Sequence, residues 1–163
     1  MTEAELEIAN KAFQKLAGQP LSDIWRVFDL LYFFFGPQRQ EINKRGREHW
    51  TSDWKLSVVC PWELTQINGF RLTEAAIPQD ASPLSDETVD ILQNLNLEKT
   101  LVETVAVEGD GRILMKLSEG IRLSVIPSPL LIGDQWSLML IDRTVMYELD
   151  EQLGFRLDQI FLH

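Results

Sequence analysis

The chain has 163 residues, of which 45 % are hydrophobic and 25 % charged, with a formal net charge of −10 at pH 7. This composition excludes a disordered chain, a collagen-like repeat and a disulfide-dense mini-protein, and a domain of this size buries very roughly 70 % of its unfolded surface. So large an anionic excess also argues against RNA or DNA as a partner, because phosphates call for a basic surface.

In chain order, residues 3–17 read as a helix. Leu6, Ala9, Phe13 and Leu16 share one face, Glu3, Glu5 and Glu7 sit in the first turns where the helix dipole favours anions, and Gly18 and Pro20 end it. Residues 24–35, IWRVFDLLYFFF, read as one strand covered on both sides. Alternation then puts Trp25, Val27, Leu31, Phe33 and Phe35 on one face, and Ile24, Phe28, Leu30, Tyr32 and Phe34 on the other. A helix is the rival reading, since Ile24, Val27, Phe28, Leu31 and Phe34 also match its period, and Gly36-Pro37 ends the element in either case.

Residues 37–52 are polar and basic, a loop or hairpin end. Trp54 to Cys60 alternates as a half-buried strand, and Pro61 either ends its ladder or marks a bulge. Trp62 to Ile67 continues it, Asn68-Gly69 is a tight-turn signal, and Phe70 to Ala76 returns as the antiparallel mate. After a loop at 78–84, Ser85 caps a short helix with Asp86 and Glu87 in its first turn and Val89, Leu92 and Leu95 as its buried stripe.

Leu101–Val107, Arg112–Leu117 and Ile121–Ile126 form a meander through the turns Gly109-Asp110-Gly111 and Glu119-Gly120. In the first of these runs Val102, Thr104 and Ala106 alternate against Leu101, Glu103, Val105 and Val107. Pro127 and Pro129 break the sheet, and Gln135–Ile141 is a further strand with Trp136, Leu138 and Leu140 on one face. In the tail, Met146, Leu149 and Leu153 suggest a helix ended by Gly154, and Phe155, Leu157, Ile160 and Phe161 a docked final segment. The expected fold is a single α+β domain over residues 1–163, a mostly antiparallel sheet of about six or seven strands with two or three flanking helices.

Little in the sequence carries chemistry. Neither phosphate-binding glycine motif occurs, and no nucleophile elbow is present. The histidines are His49 and His163, in no metal-ligand spacing, so neither a metal, a cofactor nor a catalytic residue is expected. Cys60 is the single cysteine, so no internal disulfide can form, and its apolar neighbours mark it as an inert core thiol. The acidic, polar N-terminus is unlike a signal peptide, and the longest apolar run, Leu30–Phe35, falls far short of the ~20 residues a bilayer span needs. A cytoplasmic protein with no membrane contact is the expectation.

Two features suggest binding. Trp50, Trp54 and Trp62 lie close together in sequence, in one stretch with Arg45, Arg47, His49 and Cys60. Tryptophan suits pocket walls, and the basic side chains suit an anion or an acidic partner. Asp29, three residues after Arg26 in an apolar run, reads as a structural acid or as a pocket acid of raised pKa. The candidate binding residues are therefore Arg26, Asp29, Arg45, Arg47, His49, Trp54 and Trp62. The plainer alternative makes Trp54 and Trp62 core and the basic run a solvated loop. The second feature is charge placement: residues 1–60 hold eight basic and eight acidic side chains, whereas residues 61–163 hold seven and seventeen. An acidic body steers a basic partner.

Trp25-Arg26-x-x-Asp29, Phe35-Gly36 and the run Lys55 to Leu64, with Cys60-Pro61-Trp62-Glu63, resemble a group of small bacterial proteins that carry an R-x-x-D strand ending in F-G and a strand ending in C-P-W-R-[LI]. The match spans about residues 24–65 and departs at Glu63, where the group has arginine. The resemblance implies a bacterial intracellular α+β domain and no particular activity; by analogy of style, small acidic bacterial domains accompany toxins as immunity proteins. Three functions are thus expected in order: a non-catalytic binding or inhibitor domain that turns an acidic face to a basic protein; a small-molecule-binding or hydrolytic domain with a pocket lined by Trp25, Trp54 and Trp62; and a subunit that dimerises through a sheet edge or the apolar tail.

Overall fold

Helix α1 (Glu3–Gln14) opens on a reciprocal cap: Thr2 Oγ1 accepts the Glu5 N–H at 3.2 Å, and the Thr2 N–H donates to Glu5 Oε2 at 2.7 Å. That backbone N–H holds the Glu5 carboxyl below its ordinary range. The helix buries Ala9, Ala12 and Phe13, and Leu16 is buried in the turn that follows, which Gly18 closes at φ 80°. A computed structural model describes residues 1–28, 30–78, 82–95, 97–140, 145–150 and 154–159.

Among these residues the architecture is thirteen antiparallel strands in three sheets, with two α-helices and short 3-10 turns. The strands are β1 (Leu21–Val27), β2 (Leu30–Phe35), β3 (Arg39–Ile42), β4 (Glu48–Thr51), β5 (Trp54–Val58), β6 (Trp62–Gln66), β7 (Arg71–Thr73), β8 (Val102–Val107), β9 (Ile113–Leu117), β10 (Ile121–Val125), β11 (Asp134–Leu140), β12 (Val145–Asp150) and β13 (Gly154–Gln159). Helix α2 spans Asp86–Asn94. One sheet runs β1-β2-β5-β11-β12-β13, a second β7-β6-β10-β9-β8, and β3-β4 form a hairpin of their own. The mainly antiparallel α+β expectation holds, but the single sheet of six or seven strands becomes two large sheets and a hairpin.

The reason lies at Pro61. β5 belongs to the first sheet and β6 to the second, so the chain changes layers across Val59-Cys60-Pro61. Proline has no N–H to continue a ladder. The N–H groups of Val59 and Cys60 instead both donate to the Gln135 carbonyl, at 3.0 and 3.2 Å, and Pro61 O accepts the Ile126 N–H at 2.8 Å. Both sheets contribute to one core: Phe33 from β2 meets Trp62 from β6 edge-on at 5.9 Å, and Phe13 from α1 meets Trp136 from β11 at 5.4 Å. Asn10 ties α1 to strand β8 as a surrogate strand would, its amide donating to Val107 O and accepting the Val107 N–H, both at 2.9 Å.

Four local readings are corrected. Residues 24–35 form a hairpin, not one strand or a helix. β1 and β2 pair from Leu21↔Phe35 to Val27↔Leu30, and Phe28 takes a left-handed φ of 53°. The reversal sends Trp25 to the same side as its partner Tyr32, away from the buried Leu31, Phe33 and Phe35. In β8 the register shifts between Val102 and Thr104, so Val102, Val105 and Val107 all point inward where strict alternation would divide them. Phe70–Ala76 is strand only over Arg71–Thr73 before a 3-10 turn at Glu74–Ala76. The tail is a hairpin of β12 and β13 rather than a helix, because Tyr147 and Leu149 repeat at the strand period and pack with Phe155 in the core. On the other face of that hairpin Glu148, 5 % exposed, forms an ion pair with Arg156 directly across the ladder. Leu153, Ile160 and Phe161 lie outside the described residues.

The turn between β8 and β9 carries a tight constraint. Gly111 adopts φ 84°, a backbone conformation that L side chains rarely take, its carbonyl accepts the Trp136 indole N–H at 2.8 Å, and a Cβ there would press on the Leu149 side chain. Gly111→Ala should therefore lower unfolding free energy by about 2 kcal/mol in urea denaturation. Gly109→Ala in the same turn, where a Cβ meets nothing within 4 Å, should stay within about 0.5 kcal/mol. Equal effects at the two positions would contradict this packing.

Candidate functional site

An open groove of about 730 Å³ lies between α2 and the ends of β6, β7 and β10. Ser85 starts α2 by accepting the Thr88 N–H at 3.1 Å, which commits the next turns to helical spacing. Glu87, Asp90, Ile91, Asn94 and Leu95 then fall at i, i+3, i+4, i+7 and i+8 and line one side of the groove. The opposite wall comes from the turns that end the strands. Gln66 Nε2 donates to Glu119 O at 3.0 Å, Ile67 N–H to Gly120 O at 3.1 Å, and Ser118 Oγ to Lys99 O at 2.9 Å. These bonds fix Glu119, at φ 62°, and Lys99 on the rim.

Among the described residues the groove therefore has an apolar floor of Phe70, Ile91, Leu95 and Ile121 with the exposed carboxylates of Glu87, Asp90 and Glu119 and the ammonium of Lys99 around it. Its chemistry suits a segment with apolar and cationic side chains. None of these residues was singled out as a binding residue from the sequence. The signal was present in the helical period of α2, which places acidic and apolar side chains on one stripe.

A second, smaller cleft of about 370 Å³ lies where β1 and β2 meet the β3–β4 hairpin, lined by Asp23, Trp25, Phe34, Gln38, His49, Trp50, Thr51 and Ser52. Gly36, at φ 105° and with its Cβ position 3.2 Å from Asp53 N, lets the chain turn sharply into that hairpin. The Arg39–Asp53 ion pair and a 2.7 Å bond between the Ser22 and Ser52 hydroxyls hold its base.

The described sequence-derived candidates do not converge on one site. Arg45 and Arg47 are exposed in the β3–β4 turn, where their backbone N–H groups donate to Asn43 Oδ1 at 2.9 and 3.0 Å. His49, also exposed, lines the 370 Å³ cleft beside Trp50. Arg26 donates through Nη1 to Pro78 O and shares a small cleft of about 160 Å³ with Trp62 and Cys60. Trp54 and Trp62 are core residues, 8 % and 5 % exposed. Asp29 lies outside the described residues. Glu63, where the resembling group has arginine, pairs with Arg71 at 3.1 Å, and that guanidinium holds its carboxyl below the ordinary range. Among the described residues no helix is long and apolar enough to cross a membrane, and no three His, Cys, Asp or Glu side chains converge as metal ligands do.

Cys60 is 1 % exposed, and burial pushes its thiol from 9.0 up to about 12. The thiolate is disfavoured in the fold, so stability tied to the neutral thiol is complete below pH 9.0 and is lost as pH rises from 9.0 towards about 12. Iodoacetamide at about pH 8 should leave the native thiol unmodified and alkylate it in denaturant. Rapid alkylation of the native protein would contradict this environment. Compared with protein-family models and with curated proteins, the sequence gave a match in neither.

Proposed function

We propose that the protein is a non-catalytic binding domain whose α2 groove docks a basic, amphipathic segment of a protein partner, in the manner of an inhibitor or immunity protein. The observation that carries this reading is the pairing of an apolar floor with a carboxylate rim in one concavity. Apolar floor residues supply the burial that holds a partner, and the rim carboxylates select for cationic side chains and speed encounter. The charge of the whole chain works in the same direction, since residues 61–163, which contribute every groove residue, hold the entire anionic excess.

The reading separates from generic charge attraction by a matched pair of charge reversals. Glu87→Lys with Asp90→Lys alters the rim, and Glu103→Lys with Glu108→Lys alters exposed acids that do not line the groove, at the same net charge. A labelled peptide of alternating lysine and leucine, followed by fluorescence anisotropy, should bind the first variant about ten-fold or more weakly and the second within about three-fold of the parent protein. Equal losses in the two variants, or no binding to the parent protein, would overturn the groove as the docking site.

A further inference from the structure

The aromatic cleft beside the β3–β4 hairpin shares no lining residue with the groove and is a separate concavity. It is flanked by two tryptophans that keep their rings in solvent, Trp25 at 58 % and Trp50 at 65 % exposure. Open indole faces grouped in a concave site are a recognition feature rather than a packing one. Trp25 and Phe34 meet at 78° with centroids 6.4 Å apart, so they form a corner and not a parallel slot.

At pH 7, with His49 neutral, Asp23 is the formal charge among the described lining residues of the cleft. Asp23 lines it, its carboxylate anchored through Oδ1 by the Ile24 N–H at 2.8 Å; among the described lining residues His49 is the other ionisable side chain, and none is a lysine or arginine. The cations nearby have their own partners. Arg39 pairs with Asp53 and Glu41, and Lys55 Nζ sits 4.6 Å from the centroid of the Tyr32 ring. That ring is the edge-on neighbour of Phe34, at 6.2 Å, and Lys55 is the cross-strand partner of Phe34, so this aromatic row already holds one ammonium over a ring face.

We propose that this cleft binds a small free organic cation of the quaternary ammonium type. The faces of Trp25, Trp50 and Phe34 receive the methylated charge, and Asp23 supplies the counter-charge. A ring corner with one carboxylate encloses a compact cation better than it supports a flat sugar ring, and the volume of about 370 Å³ is at the scale of a small ligand.

The test is an NMR titration of the full chain with choline, followed at the indole N–H signals, beside its uncharged isostere 3,3-dimethylbutan-1-ol. Choline should shift the Trp25 and Trp50 signals and bind about ten-fold more tightly than the alcohol. Asp23→Asn and Trp50→Ala should each weaken choline by about five-fold or more. Trp50 is exposed and Asp23→Asn is isosteric, so an unchanged thermal unfolding midpoint separates loss of the site from loss of the fold. The proposal is overturned if the alcohol binds as well as choline, if methyl glucoside and not choline moves the indole signals, if Asp23→Asn binds choline normally, or if phosphatidylcholine vesicles are bound where free choline is not.

Discussion

The structure depends on how the chain turns the corner at Cys60-Pro61. A strand run that is nearly continuous from Trp54 to Gln66 must serve two sheets, and proline removes the donor that would keep it in one. The freed backbone groups are still satisfied: Gln135 O takes the N–H groups of Val59 and Cys60, and Ile126 gives its N–H to Pro61 O. Those bonds tie the corner to β11 on one side and to the end of β10 on the other. With that junction fixed, the alternating faces of β5 and β6 both turn inward, and Phe33, Trp62 and Leu56 fill one core rather than two.

That junction also accounts for where concave surface is left. The second sheet ends in the turns at Asn68-Gly69 and Glu119-Gly120, and α2 lies across from them without closing the gap, which leaves the groove. The first sheet turns a half-buried face outward, with Tyr32, Phe34 and Lys55 on it, and the β3–β4 hairpin folds over one end of that face to make the aromatic cleft. The two concavities differ in chemistry for reasons visible in their residues. Among the described residues the groove joins a mostly aliphatic floor and Phe70 to several carboxylates, whereas the cleft joins aromatic rings to the single carboxylate of Asp23.

Much of this was legible in the sequence. The α1 face, the Ser85 cap, the Asn68-Gly69 turn, the meander and the strand from Gln135, described as far as Leu140, follow from periodicity and turn chemistry, because each is a local rule with a local signal. The failures share a cause, which is that tertiary pairing decided them. The apolar run 24–35 conceals its reversal because Phe28 takes a left-handed φ that no glycine or asparagine announces. The bulge after Val102 shifts an alternation that looks regular. Met146 and Leu149 fit a helix until Phe155 and Arg156 are seen to lie opposite β12. At the binding surfaces, the tryptophan cluster was the visible signal, but Trp54 and Trp62 went to the core, and Trp25 and Trp50 stayed at the surface. One-dimensional spacing does not say which indole faces solvent. The groove was half visible: its charge was plain in the composition of the second part of the chain, but its walls come from α2, β6 and β10, which only the fold brings together.

The most direct measurement of the docking claim is a residue-resolved amide exchange map of the full chain, recorded with and without the lysine–leucine peptide at low salt. Occupation of the groove requires protection confined to the backbone around Gln66–Phe70, α2 and Lys99–Leu101 together with Ser118–Ile121, with the β3–β4 hairpin unchanged. Protection spread evenly over all acidic surfaces, or centred on the hairpin, would show that charge alone attracts the peptide and that the groove is not where it binds.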